Sequence, residues 1–253
     1  MIVIAHRGNN KEALENTFAA YEKSVECGAQ RIELDLHLSC DGEIFIFHDN
    51  DLTMQAFRPM KITESFANDI STVKLSDGSF IPRFVDVLEH FLPRIELNCE
   101  LKGKSLALAQ KAAEMVSATS LSDKVIFSSF EFEPISYLRD EFPDIQRACL
   151  VGDDRVQWPE FSHGIPVVFM HETSTKNFHP RADMVDENMM DYARNNSWKV
   201  FPWVPMLGEE NDRERLWTIL QSLNVHGLCT NYPRELILWL EANKKINLKD
   251  IHL

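Results

Sequence analysis

RIELDLHL, residues 31–38, alternates strictly: Ile32, Leu34, Leu36 and Leu38 interleave with Glu33, Asp35 and His37. Side chains of a strand point alternately to its two faces, so one face is apolar and the other holds two carboxylates and an imidazole. IELNCELK, residues 95–102, repeats the pattern, with Ile95, Leu97, Cys99 and Leu101 opposite Glu96, Asn98, Glu100 and Lys102. In an α/β barrel the outer strand face packs on helices, and the inner face carries chemistry near the C-terminal end. The two segments therefore predict neighbouring barrel strands whose carboxylates meet inside one mouth.

The flanking sequence supplies the remaining elements. IVIA (2–5) is a short strand, and ENTFAAYEKSVECG (15–28) has helical spacing at Phe18, Tyr21 and Val25 with Gly28 as its stop. SCDGEIFIFH (39–48) turns at Asp41-Gly42 and extends the second strand as a hairpin. Residues 49–80 are weakly periodic and predict a loop-rich excursion. Beyond it, apolar runs alternate with helix-spaced segments. The main strands fall near residues 2, 32, 95, 125, 146, 166, 199 and 227, the sixth being IPVVFM (165–170). Eight β/α repeats predict a single closed (β/α)8 barrel over residues 1–253. The Gly-rich dinucleotide fingerprint of an open doubly wound sheet is absent. Gly152 to Gly164 shows no helical pattern where one is due.

Composition narrows the function. The chain has 253 residues, 44% of them apolar, which suffices for a full core. Its formal charge of −13 runs against a nucleic-acid binder. Five cysteines, an odd number without a Cys-x-x-Cys pair, argue against a disulfide framework or zinc ribbon. The first apolar run ends at Ala5, too short for a signal-peptide core, and no stretch approaches the ~20 apolar residues of a membrane span. The expectation is a cytoplasmic protein without membrane insertion.

Carboxylates gathered in a concave site repel one another and need a proton or a cation to persist. The oxygen-only set favours a hard ion, Mg²⁺ or Ca²⁺, over Zn²⁺. A solvated polar lining, salt-bridged to Lys102 and Arg31, is the alternative. His6 ends the first strand, with Arg7 after it, and His48 ends the run EIFIFH. Two histidines beside a carboxylate cluster suit proton transfer. The other seven, His179 and His37 among them, read as structural. No Gly-x-Ser-x-Gly elbow is present.

HRG (6–8), ENT (15–17), IELDLHLSCDG (32–42), FHD (47–49) and ELK (100–102), in this order and spacing, resemble the glycerophosphodiester phosphodiesterases. SSF (128–130), FPWV (201–204) and TNYP (230–233) resemble that family's closing elements less closely. The resemblance implies a (β/α)8 barrel that hydrolyses glycerophosphodiesters to glycerol 3-phosphate and an alcohol. Carried over by position, it implies Glu33, Asp35 and Glu100 as ligands of one divalent cation, and His6 and His48 as the acid–base pair. Arg7 and Lys102 become phosphate contacts, and Asn16, Phe130 and Trp203 line the substrate pocket. Asn16 also reads as a support for the His6–Arg7 turn or as a plain helix start. Departures include Leu14 for the usual Pro before ENT, and Arg83-Phe84 for Thr-Leu. Val204-Pro205-Met206 stands for Thr-Val-Asn after Trp203, and Asn231 for Asp after Thr230. They put the glycerol and leaving-group pocket in doubt. A lysophospholipase D or phospholipid lyase on the same barrel, a non-catalytic phosphate-ligand binder and a metal-dependent sugar isomerase are the competing functions.

Overall fold

Leu34 and Leu36, on the outward face of RIELDLHL, are completely buried, because helices cover that side of the strand. The computed structural model describes residues 1–152, 161–162, 165–205 and 212–249. Its barrel strands are β1 (Ile2–Ala5), β2 (Arg31–Leu38), β3 (Glu96–Leu101), β4 (Val125–Ser129), β5 (Gln146–Val151), β6 (Asn177–Pro180), β7 (Lys199–Val200) and β8 (Gly227–Thr230). They pair in parallel from β7 down to β1, and β1 pairs β8. The ring closes where Trp203 bridges Cys229 and the His226 N–H reaches the Val200 carbonyl at 2.9 Å. Each strand is followed by a helix: α1 (Phe18–Cys27), α2 (Phe84–Phe91), α3 (Leu106–Ser117), α4 (Phe132–Glu141), α5 (Val167–Glu172), α6 (Glu187–Asn195), α7 (Arg213–Ser222) and α8 (Pro233–Lys249). The expected (β/α)8 barrel is the observed fold.

Register is what positions chemistry. β2 and β3 pair with Ile32 beside Leu97, Glu33 beside Asn98 and Asp35 beside Glu100. The apolar set packs with Tyr21, Val87, Phe91, Ala112 and Val116 of the surrounding helices. A slip of one residue would turn every leucine inward and every carboxylate outward, so burial of the apolar face enforces this pairing. Helix α1 starts where Thr17 Oγ1 accepts the Ala20 N–H at 3.2 Å and stops at Gly28, whose φ of +84° suits glycine.

The excursion after β2 is more ordered than its sequence suggests. Ile44–Ile46 pairs antiparallel with the end of β2, and short helical turns follow at Thr53–Ala56, Ile62–Glu64 and Ala67–Ile70. Leu52, Ile62, Ile70, Val73 and Ile81 bury themselves around Phe45 in a separate small core. Each turn contributes one or two apolar residues, too few to establish a period.

The sixth strand is not IPVVFM. Ile165–Pro166 forms only a two-residue ribbon with Phe161–Ser162, and Val167–Glu172 is α5, which buries Phe169 and Met170. The barrel strand is Asn177–Pro180, NFHP. A short apolar run reads the same as a buried strand or a buried helix. NFHP hides its strand character because its inward residues are polar and it ends in proline, which strands accept only at positions that need not donate. Most of the stretch from Gly152 to Gly164 lies outside the described residues. No disulfide joins the cysteines among the described residues, and no described helix is long and apolar enough to cross a membrane.

Candidate active site

The mouth is built around a reversal at the end of β1. Arg7 adopts φ +55° and Gly8 φ +81°, and a Cβ on Gly8 would stand 2.7 Å from the Ala20 Cβ. Glycine is therefore required both for the left-handed turn and for the close approach of α1. The turn aims the Arg7 N–H at the Glu33 carboxylate, 3.0 Å away. Asn16 supports it from below: its N–H bonds the Arg7 carbonyl at 2.9 Å, and its Nδ2 donates to Asp35 Oδ2 at 2.8 Å. Tyr21 donates to Asn16 Oδ1 at 3.1 Å and completes the brace. Asn16 is thus neither the helix cap, which is Thr17, nor a wall of the cavity.

Glu33, Asp35 and Glu100 are all buried, and each offers a carboxylate oxygen within 4.8 Å of the others. Lys102 Nζ lies 2.8 Å from Asp35 and 2.7 Å from Glu100. Arg7 reaches Asp35 at 3.3 Å and Glu15 at 3.0 Å. The cations are unevenly shared. Burial would raise the Asp35 carboxyl, but Lys102 and Arg7 beside it hold it well below the usual range. Burial, reinforced by Asp35 and Glu100, pushes the Glu33 carboxyl well up. Burial likewise pushes Glu100 up, against the pull of Lys102, which Asp35 partly offsets. Three acids against two cations leave Glu33 without a counter-charge of its own. A hard divalent cation fits that deficit and that oxygen donor set. Arg31 takes no part: its in-register neighbour Glu96 holds it at 2.7 Å, lower in the barrel.

His6 is buried and oriented by a residue that sequence reasoning did not assign to the site. Asn231 Nδ2 donates to the Pro205 carbonyl at 3.1 Å, which leaves Oδ1 as an acceptor for His6 Nδ1–H at 2.9 Å. The lone pair of His6 is then on Nε2, 4.0 Å from Glu33. Burial, then Arg7, pushes the His6 imidazolium down to about 3, so the ring is neutral. His48, half-buried, lines the same cavity from the hairpin beyond β2, with Nδ1 2.9 Å from Asp49 Oδ1. Burial, then Lys102, lowers its pKa too. His37 is 3.2 Å from the His48 carbonyl and braces that loop.

These groups face a cavity of about 450 Å³. It is walled by the expected Phe130 and Trp203, whose rings meet edge to face at 5.9 Å. Trp203 is pinned by its Nε1–H to the Val151 carbonyl at 2.9 Å. The structure thus brings together His6, Arg7, Glu33, His48, Glu100, Lys102, Phe130 and Trp203 around one cavity, with Asp35 behind them. His179 joins them, although its sequence setting reads as structural, because the true sixth strand delivers it to the wall. Asn98 was visible on the inward face of IELNCELK and Asn231 only as a departure from the family pattern; His179 gave no signal before the strand order was known.

Residues 6–235 match the family described as the glycerophosphoryl diester phosphodiesterase family. A glycerophosphodiester phosphodiesterase of Caldanaerobacter subterraneus subsp. tengcongensis is 24% identical over 254 residues, covering 93% of this chain and 96% of its own. Lysophospholipase D GDPD1 of Homo sapiens is 24% identical over 270 residues, covering 92% of this chain and 84% of its own. The structure of an Oleispira antarctica phosphodiesterase in complex with the product sn-glycerol-3-phosphate has the same fold. Its TM-score is 0.81 at 21% identity, over 95% of this chain and 97% of that one.

Proposed function

The chain belongs to the glycerophosphoryl diester phosphodiesterase family, and we propose that it hydrolyses glycerophosphodiesters to glycerol 3-phosphate and an alcohol at this cavity. The observation that carries the proposal is the coincidence of a buried three-carboxylate cluster, two cations and two histidines at one mouth. A phosphodiester is inert because its charge repels nucleophiles. Glu33, Asp35 and Glu100 would hold one divalent ion, Mg²⁺ or Ca²⁺, which when bound neutralises the phosphate and the charge that builds up on it. Arg7 and Lys102 add positive charge around the same oxygens. His6 Nε2 takes the proton of the attacking hydroxyl, and His48 gives a proton to the departing alkoxide.

The nucleophile proposed is the substrate's own 2-hydroxyl. Held beside the phosphorus it attacks intramolecularly, a proximity worth about 7–11 kcal/mol. The new P–O bond closes a cyclic phosphate as the bond to the alcohol breaks. Water then opens the ring, with His48 as base and His6 returning its proton. One substrate panel tests the function. Diesters with several headgroups are expected to be cleaved, and activity is expected to vanish with EDTA and return with Mg²⁺ or Ca²⁺. A diester whose glycerol 2-hydroxyl is replaced by hydrogen is expected to bind and stall. Turnover of that analogue at the normal rate would sink the cyclic route alone, whereas binding of every diester without turnover would make the protein a phosphate-ligand binder.

A second substrate class has an observation in its favour. The excursion leaves the cavity wall at Asn50 and soon exposes Met54 and Phe57, which are 82% and 94% accessible. Exposed apolar side chains on a segment that also walls the cavity suit an acyl tail. With the likeness to a lysophospholipase D, this places lysophosphatidylcholine in the panel.

Arg7 offers a further check. A guanidinium gives phosphate a planar fork, and lysine gives only a point charge. Arg7→Lys is expected to lower kcat/KM about 10- to 100-fold, the equivalent of one charge-assisted hydrogen bond. An unchanged kcat/KM would reduce Arg7 to a partner of Glu15.

A further inference from the structure

Below the carboxylate cluster the cavity continues into the barrel, and its deep wall holds two polar atoms with no use in the chemistry above. Asn98 precedes Glu100 by two residues on the inward face of β3, so it lies about 6–7 Å deeper. His179 lies on the inward face of β6, three strands round the ring from β3. Both side chains line the cavity, and both residues are 3% exposed. Asn98 Nδ2 donates to the Ser128 hydroxyl at 3.4 Å, but Asn98 Oδ1 has no protein partner among the described residues, and neither has His179 Nε2. A buried polar atom left unsatisfied costs about 1–3 kcal/mol, so two facing one cavity point to a ligand that satisfies them.

The chemistry of that ligand is constrained. Asn98 Oδ1 accepts only, so a phosphate oxygen cannot satisfy it. Arg31 closes the floor beneath, paired with Glu96 and stacked at 5.4 Å over Phe201, and its charge disfavours a cation next to His179. What remains is a neutral group that both donates and accepts, namely a hydroxyl. Ile4, Leu150 and Phe201, which line the same cavity, offer contact to carbon. We propose that Asn98 and His179 form a hydroxyl-reading subsite that takes the glycerol end of the substrate, which leaves the departing alcohol at the mouth. This rests on the phosphodiesterase reading and deepens it: Asn98 and His179 are the residues that select for the hydroxyls. Burial, then Arg31, pushes the His179 imidazolium down to about 3, in keeping with a neutral partner.

Calorimetry in Mg²⁺ buffer tests the subsite with glycerol 3-phosphate and propyl phosphate, which share charge and carbon count but not hydroxyls. The wild-type protein is expected to bind glycerol 3-phosphate at least about tenfold more tightly. Asn98→Leu and His179→Phe are each expected to shrink that preference about five- to tenfold, with the Kd of propyl phosphate unchanged. Their ligand-free Tm is expected to hold or rise, since an apolar group replaces an unsatisfied one. If either variant fails to fold, Asn98→Ser and His179→Gln, which shorten or redirect the reach in a still polar wall, carry the same comparison. A preference unchanged in both variants, or an equal loss of both ligands, overturns the subsite. A wild-type protein indifferent to the hydroxyls also overturns it, and one that binds neither monoester overturns the phosphodiesterase reading itself.

Discussion

His6→Ala and His48→Ala are each expected to lower kcat by about 10²–10⁴, the usual worth of a positioned acid or base. Neither change should unfold the protein. His48 is half-buried at the rim, and Asn231 Oδ1, left by His6, still accepts from Asn10 Nδ2 at 2.9 Å. Residues that act on one proton path lose activity non-additively, so the double variant should be little slower than the slower single one. The two roles separate on a diester of glycerol with p-nitrophenol, whose leaving group needs no proton. His48→Ala should recover most of its rate on that substrate, and His6→Ala should not. A kcat near wild type in either single variant, with an unchanged melting curve, would return that histidine to a structural role.

The second large effect falls on the carboxylates, and it splits activity from stability. Glu33→Gln and Asp35→Asn are each expected to remove about 10²–10³ in kcat, the cost of losing an electrostatic stabiliser of the transition state. In EDTA their stabilities should diverge. Asp35 carries Lys102 at 2.8 Å, Arg7 at 3.3 Å and Asn16 at 2.8 Å. Its replacement leaves Lys102 with Glu100 alone and Arg7 with Glu15 alone, and should cost about 1.5–3 kcal/mol, the worth of a charge-assisted hydrogen bond. Glu33 has no cation of its own, and its negative charge opposes Asp35 and Glu100. Glu33→Gln removes that repulsion and should leave the metal-free Tm unchanged or higher. Metal should then raise the Tm of the wild type but not of Glu33→Gln, because binding to the native state alone stabilises it. Equal melting shifts for both variants in EDTA would mean that the cations are not concentrated on Asp35. Full activity in chelator-treated wild-type protein would remove the metal from the mechanism.

Much of this was legible before any coordinates. The alternation in residues 31–38 and 95–102 is a property of the chain itself, since a strand's two faces are set by backbone geometry and need no neighbour to define them. From it came the outward leucines, the inward carboxylates and, with the order of the other runs, the (β/α)8 barrel. The histidine at the end of β1 was likewise visible as the end of an apolar run, and His48 as the end of a hairpin.

What the chain did not disclose depends on partners far away in sequence. NFHP became β6 because it pairs with β5, while the more apolar IPVVFM folded as α5; hydrophobicity alone does not distinguish a buried strand from a buried helix. The excursion's small core was invisible because its residues come from turns with no common period. Asn231 orients a histidine 225 residues away, and Asn98 and His179, three strands apart in the ring, line one cavity. Local periodicity determined which side of each strand is polar. Which polar groups share a cavity, which carboxylate receives the cations and which imidazole nitrogen carries the lone pair were decided by strand order and register, because hydrogen bonds and Coulomb forces act between neighbours in space and not along the chain.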